Sequence, residues 1–174
     1  GRVVLATDPS WMPAEGLADW QLAEAYRLDT RPSQIRLLAR TPQGLRFAAQ
    51  TLRQLTTRTP DGLAVKRALV TDWPLVQWRG WHLIGPPTSA ALPEARRVLR
   101  TMAALKMNWV AFQIDNRLRY ERDPDLAAGP NAPTKEELRE LVALAESLGM
   151  EVIPMTQCFS HFTYFTGKEK YRHF

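Results

Sequence analysis

Three short runs decide the fold: Val76-Gln77-Trp78-Arg79-Gly80-Trp81-His82-Leu83-Ile84, Trp109-Val110-Ala111-Phe112-Gln113-Ile114-Asp115 and Glu151-Val152-Ile153-Pro154-Met155-Thr156-Gln157-Cys158. Each is short and apolar, and amphipathic helical stretches separate them, which is the pattern of a parallel βα architecture. Polar residues gather just past the second and third runs: Asp115, Asn116, Tyr120 and Glu121, then Ser160, His161 and Tyr164. In a βα-barrel that end of the strands carries the chemistry. Three strands cannot close a barrel that needs eight. The reading is therefore of part of an enzyme.

The intervening stretches have helical spacing. Helix one is expected from about Ala90 to Lys106, with Leu92, Ala95, Leu99, Met102 and Leu105 inward, after Pro86 and Pro87 break the first strand. Helix two opens with a capping box, Thr134 and Glu137. Its inward stripe is Leu138, Leu141, Val142, Ala145 and Leu148, and Gly149 is placed to stop it. The irregular connection from Asn116 to Pro133 far exceeds the ~2–6 residues usual between strand and helix. With Arg117, Tyr120, Glu121 and Arg122 in it, it is read as lying at the mouth of a site.

Upstream, residues 1–71 read as a small α+β module. Arg2 to Ala6 is a strand and Asp8 to Gly16 a loop. Ala25–Thr30 and Ile35–Arg40 alternate, with Tyr26, Leu28, Ile35, Leu37 and Ala39 on one face, and form a hairpin. A helix follows with Thr41 as N-cap and Pro42 in its first position. Its stripe is Leu45, Ala48, Ala49, Leu52 and Leu55, and Thr59-Pro60-Asp61-Gly62 is a turn. The boundary is set at residues 71/72, giving a second part of 72–174.

Composition narrows the class. Of the 174 residues, 45% are hydrophobic and 24% charged, as in globular proteins. No apolar run approaches the ~20 residues of a membrane span, and the start, Gly1-Arg2-Val3-Val4-Leu5, has no signal-peptide core. The net charge of +5 is spread along the chain without a run of five or more like charges; a nucleic-acid face concentrates its charge, so no nucleic-acid partner is expected. One cysteine, Cys158, excludes an internal disulfide framework and reads as a buried thiol.

Arg79 lies inside an apolar run. It either grips vicinal hydroxyls or a carboxylate of a ligand, or serves a structural ion pair, because an unpaired buried guanidinium is very costly. Asp115 either accepts hydrogen bonds from a ligand's hydroxyls or caps its loop. Glu121 has the weaker claim. His161, crowded by aromatics, reads as a packed structural residue unless the loop brings it to the site; His82 and His173 are no better placed. Three scattered histidines do not make a metal site. There is no phosphate-cradling glycine loop and no nucleophile elbow, so no cofactor is expected.

Ordered along the chain, Gln50-Thr51-Leu52-Arg53-Gln54-Leu55, Asp72-Trp73-Pro74, Trp78-Arg79-Gly80 and Lys106-Met107-Asn108 resemble the family 20 glycoside hydrolases, the β-N-acetylhexosaminidases. The stretch Glu24–Leu55 resembles the small α/β domain that precedes their catalytic barrel. Tyr120-Glu121-Arg122-Asp123-Pro124-Asp125-Leu126, Glu151-Val152-Ile153-Pro154, His161 and Tyr171-Arg172-His173 are closer to a bacterial branch akin to hexosaminidase D. The resemblance implies a small α+β domain followed by the first three βα units of an incomplete TIM (β/α)8 barrel. It implies retaining, substrate-assisted cleavage of terminal N-acetylhexosamine, one of the exceptions to the two-carboxylate scheme. In that scheme an Asp steers the substrate's acetamido group and the adjacent Glu is the acid. No Asp-Glu dipeptide occurs in these residues, so the catalytic pair is expected outside them. By the same resemblance Arg79 and Asp115 bind the sugar and His161 supports the acid. Ile84, Asn116 and Thr163 depart from positions that are often acidic in the family. The partner implied is a carbohydrate, with self-association through the open barrel. The alternative reading is a non-catalytic carbohydrate-binding or interaction module.

Overall fold

The computed structural model describes residues 2–8, 16–31 and 33–173. They form two compact units, residues 1–77 and 78–174. Most of the expected loop after Asp8 lies outside the described residues.

The first unit is built on a four-stranded sheet. Its strands are β1 (Arg2–Thr7), β2 (Tyr26–Asp29), β3 (Gln34–Ala39) and β6 (Leu69–Asp72), in the order β1-β3-β2-β6. The expected hairpin is present: β2 and β3 run antiparallel with Tyr26 opposite Ala39 and Asp29 opposite Arg36. β1 joins β3 in parallel and β6 closes the other side against β2. A short helix, α1 (Asp19–Glu24), precedes β2 and was not foreseen. β6 was not foreseen either; it spans the expected boundary at 71/72, and the first unit runs on to Gln77. A second hairpin, β4 (Thr56–Thr59) with β5 (Gly62–Val65), is folded around the expected turn.

Helix α2 (Pro42–Gln54) covers one face of the sheet. It starts as read: the Thr41 hydroxyl accepts from the Gly44 N–H at 3.2 Å, and Pro42 sits where a missing donor costs nothing. Its buried positions are Gly44, Phe47, Ala48 and Thr51, with Leu45, Leu52 and Leu55 flanking the core and Ala49 exposed. The stripe is rotated from the expected one because Gly44 is the point of closest approach. A Cβ there would stand 2.5 Å from the Ala25 carbonyl oxygen and 2.8 Å from Ala39 Cβ. That contact turns Phe47 inward and Ala49 out.

The second unit is a parallel three-stranded sheet of β7 (Gly80–Ile84), β8 (Trp109–Gln113) and β9 (Glu151–Met155), in that order. The crossovers are α3 (Leu92–Ala104) and α4 (Lys135–Ser147). Val110 and Phe112 point to the helices and join Leu99, Met102, Leu138, Leu141 and Ala145 in one core. Burying each such side chain stabilises by roughly 1.5–3 kcal/mol. The capping box is formed, with Glu137 N–H donating to the Thr134 hydroxyl at 3.2 Å and Thr134 N–H to the Glu137 carboxylate at 2.8 Å. Gly149 ends the helix at φ +84°, where a side chain is strained.

Several expectations are corrected here. β7 begins at Gly80, not Val76, and Trp78 is 58% exposed rather than core. Residues 76–78 lie outside any strand, and β8, the partner of β7, starts at Trp109 after Lys106 turns the chain at φ +59°. Leu105 is 63% exposed: it is the C-cap residue, past the last turn that packs. Cys158 is exposed, not buried, because β9 ends at Met155 and the chain beyond it leaves the sheet.

Candidate functional site

The second sheet has one face under helices and one face bare. Side chains alternate along each strand, so His82 and Ile84, Ala111 and Gln113, and Ile153 and Met155 share the bare face. Ile84 is 51% and Ile153 41% exposed. At the C-terminal ends of the strands this face meets a buried polar cluster centred on Asp115.

Asp115 is 8% exposed and has a left-handed backbone, φ +45°. A non-glycine residue there carries strain, which persists where surrounding contacts hold it. Those contacts are specific. The Asp115 Oδ1 accepts from the Gln157 N–H at 2.8 Å, drawing the segment after β9 to the end of β8. Its Oδ2 accepts from the Gln113 side-chain amide, and its carbonyl from the Tyr120 hydroxyl. The Tyr164 hydroxyl donates to the Gln157 carbonyl at 3.1 Å. Both phenols are pushed above the ordinary tyrosine range, first by burial and then by the Asp115 charge. The cluster is a carboxylate whose two oxygens accept from Gln113 and Gln157, with two phenols donating to the backbone carbonyls beside it.

His161 lies on the segment that this network ties down, between Gln157 and Tyr164. It is exposed and left-handed, φ +54°. Phe162 stacks on Phe165 at 4.7 Å, Phe165 on Tyr171 at 4.1 Å, and Lys170 pairs with Asp123 at 2.7 Å. The structure thus brings the segments of Asp115 and His161 to one end of the sheet. The connection after β8, folded with one 3-10 turn at Pro124–Leu126, forms a cleft of about 430 Å³ lined by Leu118 to Asp123, Leu126 and Lys135. Glu121 is exposed at its rim.

Arg79 does not join them. It immediately precedes β7, and its Nε donates to the Lys106 carbonyl at 3.1 Å. Its backbone N–H donates to the Asn108 side chain at 2.9 Å, and its carbonyl accepts from the Asn108 N–H at 2.7 Å. Lys106 and Asn108 lead into β8, so Arg79 is at the N-terminal ends of the strands. Five strand residues, about 16 Å at ~3.3 Å each, separate that end from Asp115. Arg79 and Asp115 thus stand toward opposite ends of the strands, and the Arg79 Nε is held by a backbone carbonyl. Gly80 beside it is required by packing, since a Cβ there would stand 2.2 Å from the Trp109 indole.

Two members of the cluster were missed in the sequence. Gln113 is buried and bridges Asp115 to His82, whose Nε2 stands 2.6 Å from Gln113 Oε1. The available signal was a lone amide in an apolar strand two residues before an aspartate.

Comparison with known proteins agrees with this architecture. Residues 7–73 match the model for glycosyl hydrolase family 20, domain 2. A β-hexosaminidase of Akkermansia muciniphila is 31% identical over 154 residues, which cover 75% of this chain and 30% of that protein. A β-hexosaminidase of Vibrio vulnificus is 25% identical over 169 residues, covering 79% of this chain and 20% of that protein. Among solved structures, the family 20 β-N-acetylhexosaminidase of Streptomyces coelicolor A3(2) superposes with a TM-score of 0.68 at 27% identity, over 88% of this chain and 34% of that one. The chitobiase of Flavobacterium johnsoniae gives 0.68 at 25% identity, over 82% and 23%. The chain thus spans between 20% and 34% of the length of these relatives. Sequence motifs, family model and superposed structures together relate this chain to the family 20 glycoside hydrolases, its first unit matching that family's second domain.

Proposed function

We propose that these residues serve in a retaining, substrate-assisted exo-β-N-acetylhexosaminidase acting on terminal N-acetylglucosamine or N-acetylgalactosamine. In this reading residues 1–71 supply the small domain and 72–174 the first three βα units of a (β/α)8 barrel. The observation that carries it is the Asp115 cluster, a strained, buried carboxylate at the C-terminal ends of parallel strands in a chain related to hexosaminidases. A related Streptomyces plicatus β-hexosaminidase variant, 27% identical, has been solved with N-acetylglucosamine as product.

Asp115 binds sugar hydroxyls and His161 supports the acid. The acid pair itself lies outside these residues, which contain no adjacent Asp-Glu. The 174-residue chain alone is therefore inactive. Its open β7 and β9 edges and bare sheet face, with Ile84 and Ile153, favour self-association. The coding sequence beyond Phe174 tests the reading: an Asp-Glu pair after a fourth strand is expected, and a continuation without one overturns it. A second reading, a carbohydrate-binding module, draws on the exposed Trp73, Trp78, Trp81 and Phe159. Micromolar binding of chitin oligomers, read by tryptophan fluorescence, favours it; no binding favours an incomplete catalytic site.

A further inference from the structure

His82 enters the site through a chain of hydrogen bonds that fixes which of its nitrogens carries the proton. The chain starts at Asp115. Oδ1 accepts from a backbone N–H, Gln157, which can only donate. A carboxylate is an acceptor on both oxygens, so Oδ2 selects the NH2 end of the Gln113 amide. The reverse orientation would set two oxygens face to face. With its NH2 held by Asp115, Gln113 has its carbonyl oxygen toward His82 Nε2, 2.6 Å away. An amide oxygen only accepts, so Nε2 must donate. The neutral ring then keeps its lone pair on Nδ1.

The setting gives this a consequence. His82 is on the bare face of the sheet, on an edge strand, with Ala111 and Ile153 in the same row and Ile84 and Gln113 in the next. No charged side chain stands in either row. The described residues of these two rows therefore offer one imidazole among apolar neighbours, joined through the Gln113 amide to a buried carboxylate, with Glu151 one row further toward the N-terminal ends of the strands. Asp115 settles the orientation of Gln113, and Gln113 the tautomer of His82.

We propose that His82 is a ligand-facing residue of this site, set as the Nε2–H tautomer by Asp115 through Gln113, with Nδ1 presented as a hydrogen-bond acceptor for a hydroxyl of the bound sugar. The ligand-facing role rests on the hexosaminidase reading; the relay does not. In these terms Gln113 is a positioning residue and His82 a determinant of which hydroxyl arrangement is accepted.

The relay is tested on the isotope-labelled 174-residue chain, without sugar, by imidazole proton–nitrogen correlation spectra at about pH 8, above the ordinary imidazole range. His82→Asn assigns the signals. The expected result is one His82 tautomer with the proton on Nε2, exchanging slowly enough with water to be seen. Gln113→Leu should abolish that signal, and the near-isosteric Asp115→Asn should weaken it by releasing the amide. A proton on Nδ1, or an Nε2–H signal indifferent to both substitutions, overturns the proposal. Should Gln113→Leu not fold, the parent spectrum and Asp115→Asn decide it. A hexosaminidase reading that fails leaves these spectra unaltered, and spectra that contradict the relay leave the family relation standing.

Discussion

The two sheets of this protein use buried polar groups differently. In the first unit, the Tyr26 hydroxyl stands 2.6 Å from Thr51 Oγ1 and donates to the Asp72 carboxylate at 2.8 Å. That ties α2, β2 and β6 together beneath a helix-covered face, with ordinary backbone at each residue. In the second unit, Asp115 draws on three loops and strands at the open end of the sheet and holds a left-handed backbone to do so. The first arrangement locks a scaffold. The second stores strain where a sheet has a bare face, which is where binding groups are found. A polar cluster is thus read by what surrounds it, not by its composition.

The largest expected effect lies on the covered face of the second sheet. Leu141 is fully buried between the helices and strands. Leu141→Ala is expected to cost about 2–5 kcal/mol in denaturant unfolding, from lost transfer energy and the cavity left behind. A loss below about 1 kcal/mol would show that this core is loosely packed and the contrast with the bare face overdrawn.

Next is Tyr26→Phe, which strips the hydroxyl that meets Thr51 and Asp72. A loss of about 0.5–1.5 kcal/mol is expected, the net worth of an intramolecular hydrogen bond. An unchanged midpoint would remove the claim that this network is a lock.

The smallest effect is a pH dependence in the second unit. Tyr120 and Tyr164 have raised pKa values, from burial and then the Asp115 charge. The folded state favours the neutral phenols. The stability they contribute is full below the unfolded tyrosine value of 10.0 and is lost as pH rises through the higher folded values. Alkaline titration should weaken the second unit in that window, and Tyr120→Phe should flatten the response. A second unit insensitive to pH there would contradict the buried setting of the two phenols.

Much of this was legible in the sequence. The β2–β3 hairpin, the Thr41 cap, the Thr134–Glu137 box and the Gly149 stop each follow from local rules, and each formed where residue type and spacing placed it. The clustering of Asp115, Tyr120 and Tyr164 followed from their positions just after strands. What was not legible depended on distant partners. The inward face of α2 is set by Gly44 meeting Ala25 and Ala39, which no periodicity within the helix reveals. The start of β7 is set by where β8 begins. An arginine in an apolar run needs partners, from a ligand or from the fold, and only the structure shows that the Lys106 carbonyl, at the opposite end of the sheet from Asp115, is one partner of Arg79. Gln113 and His82 were passed over because their meaning lies in a bond between neighbouring strands.

The most direct test of the account is a paired assay with an aryl N-acetyl-β-glucosaminide. One arm is the purified 174-residue chain, and the other is the product of the same coding region read on to the length of the related hexosaminidases. The account predicts turnover in the longer product and none in the 174 residues. Turnover by the 174-residue chain, or none by the longer product, would contradict it.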